Sequence, residues 1–278
     1  MATNIPTTPL STPDKPTRIY RCPDTIDGIL TGIYEAGLSH YGHDYIYLEV
    51  QSPDICRTLS LFSEYIDITE DASKAQKVVD SIRKNISPKA YRHVICALLS
   101  DSPEKANTAY HFLVYGFHLG ARITDALTIP WVQEMFAINR RIQNEAHFFK
   151  EFLRFTRTDT CYLALIEPSC RVVSLITPHF SDRLHCENFM IYDKTHGELG
   201  IHPADSAWYI RAVTVEEGQE LERCYEKQDA FTSLWHTFFD AIAIEQRINP
   251  KAQGNLCPKH FRKHMPEFHT VQDKPAHY

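Results

Sequence analysis

Glycine is scarce, with 10 residues in 278, about half of the roughly 7% found in an average chain. No two glycines form G-x-G and no G-x-x-x-x-G-K-[ST] occurs, which excludes the glycine-built phosphate cradles of Rossmann and P-loop proteins. The eight cysteines, at 22, 56, 96, 161, 170, 186, 224 and 257, contain no C-x-x-C pair and no close triplet of an iron–sulfur site. G-x-S-x-G and H-E-x-x-H are missing too, so the commonest hydrolase and metalloprotease signatures fall away. No apolar run approaches the length of a membrane span. Without a secretory leader, the expectation is a cytoplasmic protein with reduced thiols and no membrane partner.

What is present is a globular composition. Hydrophobic residues make up 43%, charged residues 23%, and 15 Phe, 14 Tyr and 3 Trp supply bulk for a core. The formal charge of −6 rules out a uniformly basic nucleic-acid-binding domain. Charge is nevertheless segregated along the chain. In 140–157, Arg140, Arg141, Lys150, Arg154 and Arg157 face Glu145 and Glu151, a net of +3. In 241–264, Arg247, Lys251, Lys259, Arg262 and Lys263 face only Glu245, a net of +4. Segment 211–229 carries −3. If the basic segments meet in space they form a phosphate-binding surface; apart, they are ordinary solvated helix faces.

Periodicity organises the rest. Residues 1–17, with four prolines and five threonines, read as a disordered extension, and 269–278 as a flexible tail. A strand is expected at 18–22, a helix from about Thr25, and a strand at 44–50. Apolar spacing predicts a helix over 71–86, and Ser87-Pro88 and Ser102-Pro103 each offer an N-cap followed by proline. The helix at 104–120 is apolar nearly all round and belongs in a core. Trp131, Met135, Ile138, Ile142, Ala146, Phe149 and Leu153 step at helical spacing, with Arg140, Asn144, His147, Lys150 and Arg154 outside. Strands follow at 152–157, 161–166, 189–193 and 206–211. A long helix over 229–246 turns Phe231, Leu234, Trp235, Phe238 and Ile242 inward. The expected architecture is a single α+β domain over 18–268, with a helical middle, a small antiparallel sheet and a long C-terminal helix.

Three clusters hold potential chemistry. His179-Phe-Ser-Asp182-Arg183 gathers a base, a carboxylate and a guanidinium, suited to acid–base work or phosphate positioning, or else to a short capped helix. Cys257, His260 and His264 sit about one helical turn apart, a zinc-compatible spacing, but no second Cys/His cluster completes four ligands. His185-Cys186-Glu187 reads H-x-E, yet no P-C-x-x-C follows, so the zinc deaminase pattern fails. The expectation is no metal and no cofactor.

Four segments together carry a resemblance: Asp24–Ala36 (DTIDGILTGIYEA), Asn144–Phe155 (NEAHFFKEFLRF), Thr177–Arg183 (TPHFSDR) and Leu234–Pro250 (LWHTFFDAIAIEQRINP). Over 18–268 the chain resembles a bacterial family of DNA-metabolism proteins built on a domain of unknown function. That domain also occurs fused to uracil-DNA-glycosylase-like domains and beside a radical SAM protein of DNA repair. The resemblance marks Glu145, His147, Lys150 and Arg154, then His179, Asp182 and Arg183 on a loop after strands, then Arg247, Asn249, Pro250 and Gln253. Where the family has a basic-aromatic Met-Pro-Lys-Arg-Tyr-Trp-like motif, this chain has Leu256–His264, which implies basic character there rather than zinc. Arg154–Glu145 and Arg183–Asp182 pairing is the structural alternative for these polar groups.

The resulting expectation is a DNA repair or modification accessory protein of unassigned reaction. DNA is held by Arg140, Lys150, Arg154, Arg183, Arg247, Lys259 and Arg262, with His147, His179 and Asp182 nearest any chemistry. The alternative is a non-catalytic binding partner of the radical SAM protein, docking through acidic 216–229.

Overall fold

The computed structural model describes residues 15–51, 62–227, 234, 235, 238, 241 and 249–268. The chain divides into two compact units, 1–139 and 140–278. The sequence offers no linker there, and the boundary falls inside a helix.

Unit 1 is built on a three-stranded, wholly parallel sheet in the order β2-β1-β3, from β1 (Thr17–Cys22), β2 (Ile46–Val50) and β3 (Ser63–Asp67). Parallel neighbours need crossover connections, and helix α1 (Ile26–Leu38) supplies the one from β1 to β2. Thr25 caps it, its Oγ1 accepting from the Gly28 N–H at 2.9 Å, and Ile29, Leu30, Ile33 and Ala36 form its buried face. Helices α2 (Ala72–Asn85), α3 (Pro88–Leu98) and α4 (Lys105–Leu119) complete the core. Asp71 caps α2, and Ser87 caps α3 with proline at its start, as the sequence implies. Ser102 does not cap α4, because a turn at 103–104 intervenes before the helix begins at Lys105. Along α4 the residues 105–110, 112, 113 and 116 are buried, while Tyr115 and Phe117 are exposed. Burial pushes the Cys22 thiol up to about 12, so it stays protonated. The described cysteines are free thiols.

Helix α5 (Pro130–Phe152) runs through the boundary. Val132, Met135 and Ile138 belong to the unit 1 core, and Ile142, Ala146 and Phe149 are buried further along.

Unit 2 carries a five-stranded sheet in the order β4-β5-β6-β7-β8: Thr156–Arg157, Tyr162–Ile166, Phe189–Asp193, Glu198–His202 and Tyr209–Ala212. The expected small antiparallel sheet is corrected twice. Unit 1's sheet is parallel, and in unit 2 the β5–β6 pair is parallel because helix α6 (Val173–Arg183) connects them. The other pairs are antiparallel. The β6–β7 hairpin turns on Gly197 at φ +64°, with buried Asp193 accepting from the N–H groups of Thr195 and His196 at 2.9 and 3.1 Å. The expected strand at 152–157 shrinks to β4, since α5 continues to Phe152.

Segment 177–183 is not a loop. It is the second half of α6, with Pro178 inside the helix, where it leaves the Ser174 carbonyl without its helical N–H donor. After β8, helix α7 (Val215–Glu226) starts with a capping box between Thr214 and Glu217 and packs Leu221, Cys224 and Tyr225 on Leu163, Leu165, Tyr192 and Leu199. Helix α8 (Pro250–Leu256) and short 3-10 turns at Lys259–His264 and Pro266–Phe268 follow.

The long helix expected over 229–246 lies mostly outside the described residues. Leu234, Trp235 and Phe238 are described and exposed (64%, 40% and 51%), not inward. Trp235 and Phe238 cover each other instead, their rings 5.9 Å apart at i,i+3. Among the described residues, no helix is long and apolar enough to cross a membrane.

Helix α6 approaches β7 closely at Gly200, where a Cβ would stand 2.6 Å from Thr177 Oγ1 and 2.9 Å from Val173 Cγ1. Gly200→Ala is expected to destabilise unit 2 by about 1–3 kcal/mol through overpacking, read as a lowered urea midpoint. An unchanged midpoint would show that α6 shifts freely on the sheet.

Candidate nucleic-acid interface

All residues singled out for DNA contact or chemistry have numbers of 140 or above and belong to unit 2. Within it, an aromatic contact brings parts of the two basic segments together. Phe261, 7% exposed, lies 4.9 Å from the rings of both Phe148 and Phe149 on α5. Phe148 and Phe149 are consecutive residues, so their side chains splay by 100° and clasp the Phe261 ring from two directions. The His260 ring lies 4.0 Å from the same ring, tilted by 41°. A small cleft beside this cluster is lined by Phe149, Phe152, Arg154, Glu167, Phe261 and His264.

Around the cluster, the cations have different tasks. Arg140 is exposed on α5, Lys150 half-buried, and Lys259 exposed at the start of its 3-10 turn. The placement of Arg140 and Lys150 follows from the α5 stripe: with Ile142, Ala146 and Phe149 facing inward, the charged residues between them face out. From Arg140 to Lys150 the helix rises about 15 Å. Arg262, by contrast, turns inward. Its Nε donates to the Cys257 carbonyl at 2.9 Å and its guanidinium sits 4.6 Å from the Phe268 ring, so it fastens the 3-10 turn. Arg247 lies outside the described residues.

Among the described residues, neither Glu145 with Arg154 nor Asp182 with Arg183 is seen as an ion pair. Glu145 lies on α5, whereas Arg154 lies just beyond the helix end at Phe152. Glu145 instead accepts from the Ser169 and Cys170 N–H groups at 2.7 and 2.9 Å. Arg154 donates to the Leu153 carbonyl at 3.3 Å. Asp182 and Arg183 are both exposed in the last turn of α6, and no ion pair joins them among the described residues.

His147 and His179 stand on different helices. His147 is 69% exposed and pairs with Glu151, one turn on, at 3.1 Å. His179 is half-buried with its ring edge-on to Phe180 at 5.1 Å. No hydrogen bond joins His147, His179 and Asp182 among the described residues.

Cys257, His260 and His264 point to separate partners. The buried Cys257 thiol meets the Met265 sulfur at 3.8 Å, and His264 meets Glu167 at 3.3 Å. Glu167, just after β5, went unnoticed in the sequence. Its partners His264 and Lys263, the latter at 2.5 Å, lie nearly a hundred residues on, and no linear pattern links them. Burial pushes the Glu167 carboxyl up, but the hydrogen bond and charge of Lys263, with His264, outweigh it and hold the carboxyl below the usual range.

Unit 1 has an open groove of about 460 Å³ bordered by Tyr20, Glu35, Asp67, Thr69 and Lys74, none of them singled out by the sequence. Lys74 is tied to Glu35 at 2.6 Å across it.

A family model described as a domain of unknown function, DUF4130, matches residues 103–267, more than half of the chain. The chain belongs to that family. The match takes in the segments at 144–155, 177–183 and 234–250 and leaves out the one at 24–36. No curated protein matches the chain.

The depressed Glu167 carboxyl contributes stability above the ordinary carboxylate value, and that contribution is lost as pH falls through the lowered one. Glu167→Gln is therefore expected to cost about 1 kcal/mol at pH 7 and almost nothing near pH 2. Urea unfolding of both proteins at the two pH values checks this; an equal deficit at both would exclude the charge as its origin.

Proposed function

We propose that unit 2 binds nucleic acid as part of an accessory protein of DNA repair or modification, with no reaction assigned to it. The observation that carries this reading is the Phe148–Phe149–Phe261 contact, which sets the basic end of α5 beside the basic 3-10 turn. The cations facing outward there, Arg140, Lys150 and Lys259, are placed to contact phosphates, with exposed Arg183 at the end of α6 a further candidate. Arg262 drops out of the contact set because its guanidinium is used within the fold. The resemblance to DNA-metabolism proteins, with their glycosylase-like fusions and radical SAM companion, gives the nucleic acid its expected identity as DNA.

A second reading is a protein-binding partner of the radical SAM companion. Exposed Leu234, Trp235 and Phe238 favour it. The acidic segment gives it less support than the sequence suggests, since Glu217, Glu220 and Glu222 are paired with Arg211, Arg223 and Lys194. Co-purification of the two proteins separates this reading from the first.

Duplex DNA binding is expected to weaken with salt, and Arg140→Ala and Lys259→Ala are each expected to lower the slope of log K against log salt by about 0.9. Fluorescence anisotropy across a salt series measures both. Absence of binding at low salt, or slopes untouched by the two variants, would overturn the DNA reading.

A further inference from the structure

Just beyond the end of α6, a second group of side chains comes together that no linear motif announces. The ligand atoms of His185, Cys186 and Asp205 all lie within 4.8 Å of one another, and all three residues are exposed. They offer an imidazole nitrogen, a thiol sulfur and a carboxylate oxygen. A tetrahedral zinc ion with ligands at about 2.0–2.3 Å sets its ligand atoms about 3.5 Å apart, so modest rotamer changes close the group onto a metal.

The backbone beneath the group is fixed. The Asp205 N–H donates to the His185 carbonyl at 2.7 Å, directly linking the two segments. The Ala204 N–H donates to Asn188 Oδ1 at 2.9 Å, and buried His202 stacks on Phe189 at 4.8 Å while bonding the Glu187 carbonyl at 3.1 Å. Asp205 itself is in the left-handed region at φ +56°, which aspartate tolerates better than most residues. The C-terminal carbonyls of α6, which ends at Arg183, place a negative pole close by in sequence.

We infer that His185, Cys186 and Asp205 form a three-ligand site for a thiophilic divalent transition metal, Zn²⁺ foremost, with its remaining coordination position open to solvent. The thiolate excludes Mg²⁺ and Ca²⁺, which take oxygen ligands. Three protein ligands plus an open position distinguish it from a closed structural zinc site. The third ligand comes from the turn between β7 and β8, about twenty residues beyond His185 and Cys186. The inference is independent of the nucleic-acid reading.

Cobalt(II) is the probe, added to the reduced full-length protein after chelator treatment. One equivalent is expected to give thiolate-to-cobalt charge-transfer absorption with tetrahedral d–d bands, and Zn²⁺ is expected to displace it. Cys186→Ser is expected to abolish the charge-transfer band. Asp205→Asn, which keeps a residue suited to the left-handed backbone, is expected to weaken affinity by more than the roughly 10-fold that loss of an outer-shell contact costs. Both positions are exposed, and far-ultraviolet circular dichroism confirms that each variant is folded. No band in the native protein, or a band that survives Cys186→Ser, overturns the site. Affinity unchanged in Asp205→Asn removes the carboxylate from it and overturns it as described.

Discussion

The apolar stripe of α5 is the constraint on which the candidate interface depends. Val132, Met135 and Ile138 are buried in the core of unit 1, and Ile142, Ala146 and Phe149 are buried beyond the boundary. Each of these side chains other than Ala146 contributes about 1.5–3 kcal/mol when taken out of water. The helix therefore has one permitted rotation about its axis, and that rotation decides which charges face solvent. Arg140 and His147 are outside because the stripe is inside. Phe261 then meets this helix through aromatic surface, bringing Lys259 and Lys263 with it. Positive charge is gathered by hydrophobic packing, which supplies energy that the like charges themselves oppose.

Polar residues next to that packing divide by what they touch. Glu145 and Arg262 satisfy backbone groups of the fold, and Glu167 is neutralised by Lys263 and His264. Only those without such an internal task have a charge to offer a ligand. Charge counting along the sequence treats all of them alike, which is why it overstates the basic character of the 3-10 turn.

Much of the secondary structure was legible because it rests on local physics. The 3.6-residue stripe of α5, the Ser87 cap and the apolar and aromatic run of β6 each act within a few residues. Strands β3 and β7 were not, since Ser63–Asp67 is polar at an edge and Glu198–His202 has a glycine at its centre. The segment expected as a loop at 179–183 is helical, with Pro178 inside α6, which is held by Ile176, Thr177 and Phe180 buried around it. For the candidate sites, composition revealed the basic segments, but pairings across long separations stayed hidden. Glu167 with Lys263 and Cys186 with Asp205 are products of topology, and no spacing rule reaches them.

The parallel β5–β6 pair bears on how unit 2 assembles. Strands β6, β7 and β8 are neighbours both in sequence and in the sheet, so each hairpin closes over a short loop, on a timescale of about microseconds. Strand β5 joins β6 only after the stretch from Glu167 to Asn188 has been drawn across the sheet as α6, and chain entropy is lost before those contacts are gained. The three-stranded meander is thus the natural template. The strand that precedes Glu167, and the stretch after α6 that carries His185 and Cys186, are added to it late.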